Sequence, residues 1–249
     1  MGVDSGLPDF RGPEGFWRAY PPFEKLGLRF EELANPEWFE RDPELAWGFY
    51  GHRLNLYRAT APHEGFAILR SWAEAKPHGA FVFTSNVDGH FQRAGFDAAR
   101  IAECHGSLSH LQCLRGCGAE AFASDGIQIA VDPETFRAEG ELPSCPECGR
   151  LARPNVLMFG DWSWDGSRSE AQMGRLSAWL AGIDGPLVVV ELGAGNNVPT
   201  VRRFSESAAR RRGATLIRVN PREPELDGAR GLSLACGAVE ALRAIDERL

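Results

Sequence analysis

The chain has 249 residues, 43% of them apolar and 24% charged, which argues against a disordered chain and fits one large domain or a large domain carrying a small one. Its formal charge of −7 argues against a surface built for nucleic acid. No apolar run reaches the length of a membrane span, and the N-terminus lacks the basic-then-apolar pattern of a secretory leader, so a cytoplasmic protein with no membrane partner is expected.

The first informative stretch is Asp4-Ser-Gly-Leu-Pro-Asp-Phe-Arg-Gly12, too polar to be core. Residues 80–84 (AFVFT) then read as a buried strand. This strand runs directly into Thr84-Ser-Asn-Val-Asp-Gly89, and Glu103-Cys-His-Gly-Ser107 follows downstream. A strand ending in Asn86 and Asp88 presents both side chains on one side, at the sheet edge where ligands sit in α/β folds. Taken singly, Asn-Val-Asp-Gly is also an ordinary turn, and His105 an ordinary loop-end histidine.

The region 111–152 breaks the rhythm of strands and helices, and a small lobe inserted into a single domain of residues 1–249 is expected there. Four of the six cysteines fall in it as two close pairs, Cys113-Leu-Arg-Gly-Cys117 and Cys145-Pro-Glu-Cys148, with 27 residues between. Two tight cysteine turns can supply four thiolates in tetrahedral array, as a closed structural zinc site needs. In a chain with no export signal this favours zinc over disulfides, and no fifth ligand points to a catalytic metal. Cys104 and Cys236 stand alone and read as small buried hydrophobes.

The last third alternates regularly. Met173, Leu176, Trp179 and Leu180 share a helix face, and 187–192 (LVVVEL) reads as a buried strand. Pro199 opens a helix with Val201, Phe204 and Ala208 on one face, 215–219 (TLIRV) is a strand, and Ala238, Ala241, Leu242 and Ile245 form a final stripe. Strands separated by helices imply an α/β fold with a doubly wound, mostly parallel sheet, its ligands at the C-terminal strand ends. The run VVVELGAG mimics the start of a dinucleotide fingerprint but lacks its third glycine.

In order, the motifs SGLPDFRG, TSNVDG, CHGS, C-x3-C, C-x2-C, ARPNVLMFGD, the strand closing on Gly193, and VNP resemble the sirtuin family over essentially the whole chain. The resemblance implies a doubly wound NAD-binding domain, a small zinc lobe and an active site in the cleft between them. It implies a protein-lysine deacylase acting on an acylated-lysine protein: the acyl oxygen displaces nicotinamide from NAD and a ribose hydroxyl then attacks. The products are free lysine, nicotinamide and O-acyl-ADP-ribose.

Carried over by position, the resemblance makes His105 the base for a ribose hydroxyl, a task suited to a neutral imidazole. Asn86 orients ribose and water, and Asp88 accepts from the nicotinamide amide, with Ser85 and Val87 beside them. Asp9, Phe10 and Arg11 form a mobile loop over the cofactor, Phe10 shielding the reactive carbon. Ser5 and Gly6 sit by the phosphates, Gly193, Ala194 and Gly195 form the ribose loop, and Asn220 reaches the adenosine ribose. Val156, Phe159 and Gly160 line the groove where the substrate backbone adds as a strand. The family's acidic-acyl members read a negative acyl tail with a Tyr-x-x-Arg pair on a helix, matched here by Tyr50-Gly-His-Arg53. That spacing puts both on one face, where a guanidinium can grip a carboxylate bidentately; the alternative is a solvated arginine beside a core tyrosine.

The chain departs from the family at several points. Ser85 replaces a glutamine, and Gly193-Ala194-Gly195 replaces Gly-Thr-Ser or Gly-Ser-Ser, so Asn196 and Asn197 are expected to supply polar contacts. The first cysteine knuckle has three intervening residues instead of two. The family reaches SGxPDFR through a strand and a Gly-Ala-Gly turn whose amides cradle the pyrophosphate, and Met1 stands just after that turn. A start assigned too late is expected, with open edges on the neighbouring strands. Two other functions stay open: an NAD-dependent ADP-ribosyltransferase or NAD hydrolase, and a non-catalytic zinc-stabilised module if the chain truly starts at Met1.

Overall fold

The structure is a computed structural model that describes residues 1–8, 20, 21, 24, 27–226, 228 and 230–249. Asp9, Phe10 and Arg11 therefore lie outside the described residues. Two one-turn helices, α1 (Phe30–Leu33) and α2 (Trp38–Arg41), lead into α3 (Pro43–Ala59). The start of α3 is set locally: the Asp42 carboxylate accepts the Leu45 amide at 3.2 Å, and Pro43 fills the first turn. After α4 (Glu64–Glu74) come β1 (Val82–Thr84), the short α5 (His90–Arg93) and β2 (Ile101–Glu103). β1 and β2 pair in parallel with Thr84 opposite Glu103.

The inserted region is antiparallel. β3 (Gly106–Cys113) lies between β4 (Phe122–Ala123) and β7 (Ala152–Val156), while β5 (Ala130–Val131) and β6 (Ala138–Glu139) form a separate pair. The chain then returns to alternation with α6 (Ser167–Ala181), β8 (Val188–Leu192), α7 (Thr200–Arg212), β9 (Thr215–Val219), β10 (Gly231–Leu234) and α8 (Ala238–Asp246). Strands β8, β9 and β10 are all parallel, in the order β10-β9-β8.

The expected alternation is present, but among the described residues its parallel strands fall into two sheets instead of one. Among the described residues β1 and β8 each have a single strand partner, and the consequence is visible in β8: Val188 is 54% exposed and only Glu191 is fully buried. The expectation that LVVVEL is a buried strand is corrected accordingly, because an apolar run is covered only where both neighbours exist. No helix among the described residues is long and apolar enough to cross a membrane.

The main core gathers around α3, which buries Trp47, Phe49, Tyr50 and Leu54 against the inserted lobe. Gly48 and Gly51 permit that approach. A Cβ at Gly48 would lie 1.8 Å from the Phe136 carbonyl oxygen, and one at Gly51 would lie 2.5 Å from the Ile129 side chain. Trp47 Nε1 donates to the Ala152 carbonyl at 3.0 Å, tying the helix to β7. Helix α3 and the cysteine lobe are thus one packed unit.

The face assigned to α7 also needs correction. Val201, Phe204 and Ala208 are only half-buried, and the buried positions are Arg202, Ser205 and Ala209. Apolar periodicity points to the wrong face because the inward one carries polar side chains, Arg202 held by loop carbonyls and Ser205 by Glu191 of β8. Phe204 instead stacks on Phe83 of β1 at 4.0 Å between centroids, linking the two parallel sheets.

Candidate active site and cysteine cluster

The register of β1 and β2 makes the two polar motifs neighbours. Each strand ends at the same level, so Ser85–Asp88 and Cys104–His105 leave adjacent strand ends, and the Cys104 amide donates to the Thr84 carbonyl at 2.9 Å. Asn86 is exposed, Ser85 half-buried and Val87 buried. One Asp88 carboxylate oxygen accepts the His90 amide at 2.9 Å, which fixes the turn into α5. His105 is half-buried, with Nε2 3.4 Å from the Thr200 hydroxyl at the start of α7. Gly106 follows at φ +74, and a Cβ there would lie 2.0 Å from the Asn155 carbonyl oxygen. Only glycine lets β3 close against β7 directly after His105.

Two features of this centre carried no sequence signal. One is Thr200, ninety-five residues from His105 in the chain. The other is a buried polar cluster at Glu103, where Arg168 pairs with the carboxylate, Gln92 donates at 2.9 Å, and Gln172 accepts the Glu103 amide at 2.9 Å. A buried carboxylate is tolerated because every side is satisfied. The cluster pins the end of β2 two residues before His105. Ser169 and Gln172, which break the apolar face of α6, are explained by it.

The loop after β8 is held from several directions. The Gly193 amide donates to the Val219 carbonyl at 2.8 Å, and Gly193 takes φ +68. Arg202 donates to the Ala194 carbonyl at 3.1 Å and to Asn196 Oδ1 at 3.0 Å, and Asn196 in turn donates to Glu223 at 3.0 Å. Asn196 is therefore engaged in shaping the loop. Asn220 is fully buried, donates to the Ala194 carbonyl at 2.9 Å and accepts the amides of Arg222 and Glu223. Asn220 thus holds the loop after β8 through these internal contacts. Gly195 and Asn197 flank the same turn. At the N-terminus, Gly6 has φ +88 and the Ser5 hydroxyl accepts the His63 amide at 3.2 Å.

On α3, Tyr50 is buried and stacks with Phe39 at 5.7 Å, while Arg53 is 7% exposed, which excludes a solvated arginine. The Arg53 guanidinium donates to the Tyr57 hydroxyl at 2.6 Å from Nη2 and lies 5.4–6.0 Å from the ring centres of Phe30, Phe49, Tyr50 and Tyr57. An aromatic cage of this kind keeps the cation in place by its ring faces. Val156 is buried at the end of β7, and Phe159 and the φ +68 Gly160 are exposed beyond it.

The four lobe cysteines converge. Their sulfurs all lie within 4.8 Å of one another, with Cys113–Cys148 and Cys117–Cys145 at 3.6 Å. Four thiolates placed tetrahedrally at a zinc–sulfur bond of ~2.3 Å stand ~3.8 Å apart, so the arrangement fits that ion and is far too open for disulfides. Cys104 behaves differently, since burial pushes its thiol up to about 12. Burial likewise raises Cys236. Neither is a reactive thiolate.

Burial depresses the imidazole pKa of His105, and it is the leading cause of the same shift at His52, His63 and His110. The folded chain then binds fewer protons on these rings than the unfolded chain, whose histidines titrate near 6.5. Stability is fully present above that value and falls as pH drops below it. The expected result is a lower thermal midpoint at about pH 5.5 than at about pH 7.5. A midpoint that stays level would show that these rings titrate freely.

Comparison with known proteins agrees with this geometry. The profile of the Sir2 family matches residues 1–174. The NAD-dependent protein deacylase of Aeropyrum pernix is 32% identical over 240 residues, covering 96% of this chain and 85% of that protein. A protein of the same name from Thermus thermophilus is 32% identical over 241 residues, covering 96% and 82%. A solved Sir2 homologue in complex with NAD superposes with a TM-score of 0.70 at 28% identity, over 99% of this chain and 84% of that one. The chain belongs to the Sir2 family.

Proposed function

We propose that this protein is an NAD-dependent protein-lysine deacylase, releasing nicotinamide and O-acyl-ADP-ribose from NAD and an acylated-lysine protein. The observation that carries this reading is the pairing of β1 with β2 in the register Thr84–Glu103, which sends Asn86 and His105 out of adjacent strand ends. Parallel neighbours lie about 4.8 Å apart, so a histidine base and an amide side chain can address one ribose together. Relatives named NAD-dependent protein deacylase and the NAD complex of a structural neighbour support the reading.

Bound NAD supplies the electrophilic ribose carbon and the ribose hydroxyls. His105, kept neutral by its burial, accepts a ribose hydroxyl proton at Nε2, the nitrogen now facing the Thr200 hydroxyl. Asn86 orients ribose and water from its exposed position, and Asp88 accepts from the nicotinamide amide. The loop Gly193-Ala194-Gly195, held by Arg202 and Asn220, receives the ribose, with Ser5 and Gly6 toward the phosphates. Cys113, Cys117, Cys145 and Cys148 would hold a structural zinc ion, which takes no part in the chemistry. Incubation with NAD and an acyl-lysine peptide, followed by mass spectrometry, tests the reading. O-acyl-ADP-ribose is the expected product; free ADP-ribose with the peptide still acylated would mean an NAD hydrolase, and ADP-ribosylated protein a transferase.

The same reading extends to the acyl group. Arg53, charged at any working pH and caged beside Tyr50, is suited to acyl chains that end in a carboxylate, such as succinyl or malonyl. Arg53→Met keeps the volume and removes the charge, and KM for the acidic acyl peptide is expected to rise roughly tenfold, the loss of one charge-assisted contact. The acetyl peptide should be spared or improved. Equal losses on both peptides would make Arg53 a structural residue.

A further inference from the structure

The segment 157–162 starts at the catalytic side of the fold. The Leu157 amide donates to the His105 carbonyl at 3.0 Å, and the Phe159 amide to the Ala34 carbonyl at 2.8 Å. Phe159 remains 41% exposed and meets Phe30 edge-on at 6.3 Å, and Phe30 in turn lies 5.5 Å from the Arg53 guanidinium. An aromatic line thus runs from the acyl-reading arginine to the outer lip of the groove.

Beyond Gly160 the chain is clamped. The Asp161 carboxylate forms a fully buried bidentate pair with Arg153, at 2.8 and 2.9 Å, and also accepts the Ser163 amide and hydroxyl, each at 3.2 Å. The Ser163 carbonyl accepts from Gln112 at 2.9 Å, and the Asp165 carbonyl from Asn155 at 2.8 Å. Between these anchored neighbours stands Trp162, 99% exposed and with no ring contact among the described residues. An indole can bury on the order of 150–250 Å², and a slack loop would fold it back onto the surface. Here the flanking residues are tied to buried side chains, and the ring is held out in water.

Trp162 stands two positions after Gly160, at most about 7 Å of extended chain. On the deacylase reading, in which Val156, Phe159 and Gly160 line the substrate groove, the ring lies beside the residues that flank an acyl-lysine. We propose that Trp162 is a substrate-anchoring residue that receives a basic side chain, arginine or lysine, flanking the acyl-lysine. The inference rests on the deacylase reading. The indole face is the best aromatic partner for a cation, and tryptophan is enriched among the anchors of binding surfaces. The chain's charge of −7 draws a cationic segment in the same direction, while the nearby Arg153 is buried and neutralised by Asp161.

The test is binding, so it does not depend on turnover. Three fluorescein-labelled ligands carry the same acyl-lysine: a peptide with flanking arginines, one with flanking glutamates, and the capped acyl-lysine alone. Fluorescence polarisation compares them on the wild-type chain, Trp162→Ala and Trp162→Phe. Trp162→Ala should weaken the arginine peptide about tenfold, leave the other two within a factor of two, and keep its thermal midpoint; Trp162→Phe should recover most of the loss. If Trp162→Ala weakens all three ligands alike, or none of them, the role given to Trp162 is wrong. If the wild-type chain binds none of the three, the acyl-lysine reading itself fails, and with it this inference.

Discussion

His105→Ala is expected to lower turnover of an acyl-lysine peptide by roughly 10²–10⁴-fold, the usual cost of losing a general base, with little change in NAD binding. The neighbourhood explains why one imidazole carries so much. His105 sits between the end of β2, fixed by the buried Glu103 cluster, and Gly106, where a side chain would collide with Asn155. Its ring is half-buried, with Nε2 facing the Thr200 hydroxyl. Because burial depresses its pKa, kcat/KM for the wild-type should rise with pH through an inflection below 6.5, the ordinary histidine value, and His105→Ala should lose that inflection. Activity within a few-fold of wild-type, or an unchanged pH profile, would remove His105 from the mechanism.

The second large effect is expected at the cysteine lobe. Structural zinc in finger peptides contributes on the order of 10 kcal/mol of apparent binding free energy near neutral pH, so Cys145→Ser should lose the ion and strongly lower stability. Cys145 is buried, and its amide donates to the Arg150 carbonyl at 2.7 Å, so slack there spreads into the strands beside it. The damage should not stay local. The lobe packs on α3 through Gly48 and Gly51, and α3 carries Tyr50 and Arg53. Elemental analysis of the freshly purified wild-type protein should find one zinc ion per chain, and chelation should reproduce the thermal shift of Cys145→Ser. Protein that contains no zinc yet melts normally would mean that the four thiols hold together without a metal.

Much of this site is legible before any folding is considered. Cys-x3-Cys and Cys-x2-Cys, Asn86 with Asp88 after a strand, and His105 before a glycine are short-range patterns whose chemistry depends on spacing alone. The alternation of strands and helices in the last third is equally local, and β9 and α8 lie where periodicity puts them. The failures share one cause. Periodicity puts the wrong face of α7 inward because its buried side is Arg202 and Ser205, whose partners come from the loops at Ala194, Asn196 and Glu223 and from Glu191 on β8. Val188 is exposed despite its apolar run because a hydropathy pattern carries no information about how many neighbours a strand has.

Residue type and spacing thus settle which groups can bind zinc, accept a proton or follow a strand, because those properties belong to side chains within a few positions of one another. Which of them meet is a matter of long-range packing. The Thr200 hydroxyl beside His105, the Glu103–Arg168 pair and the Arg153–Asp161 clamp next to Trp162 in the chain bring together buried or half-buried polar groups that local patterning treats as breaks in an apolar face. A buried polar group must be satisfied by whatever the fold brings to it, and that partner is chosen by the packing of distant elements.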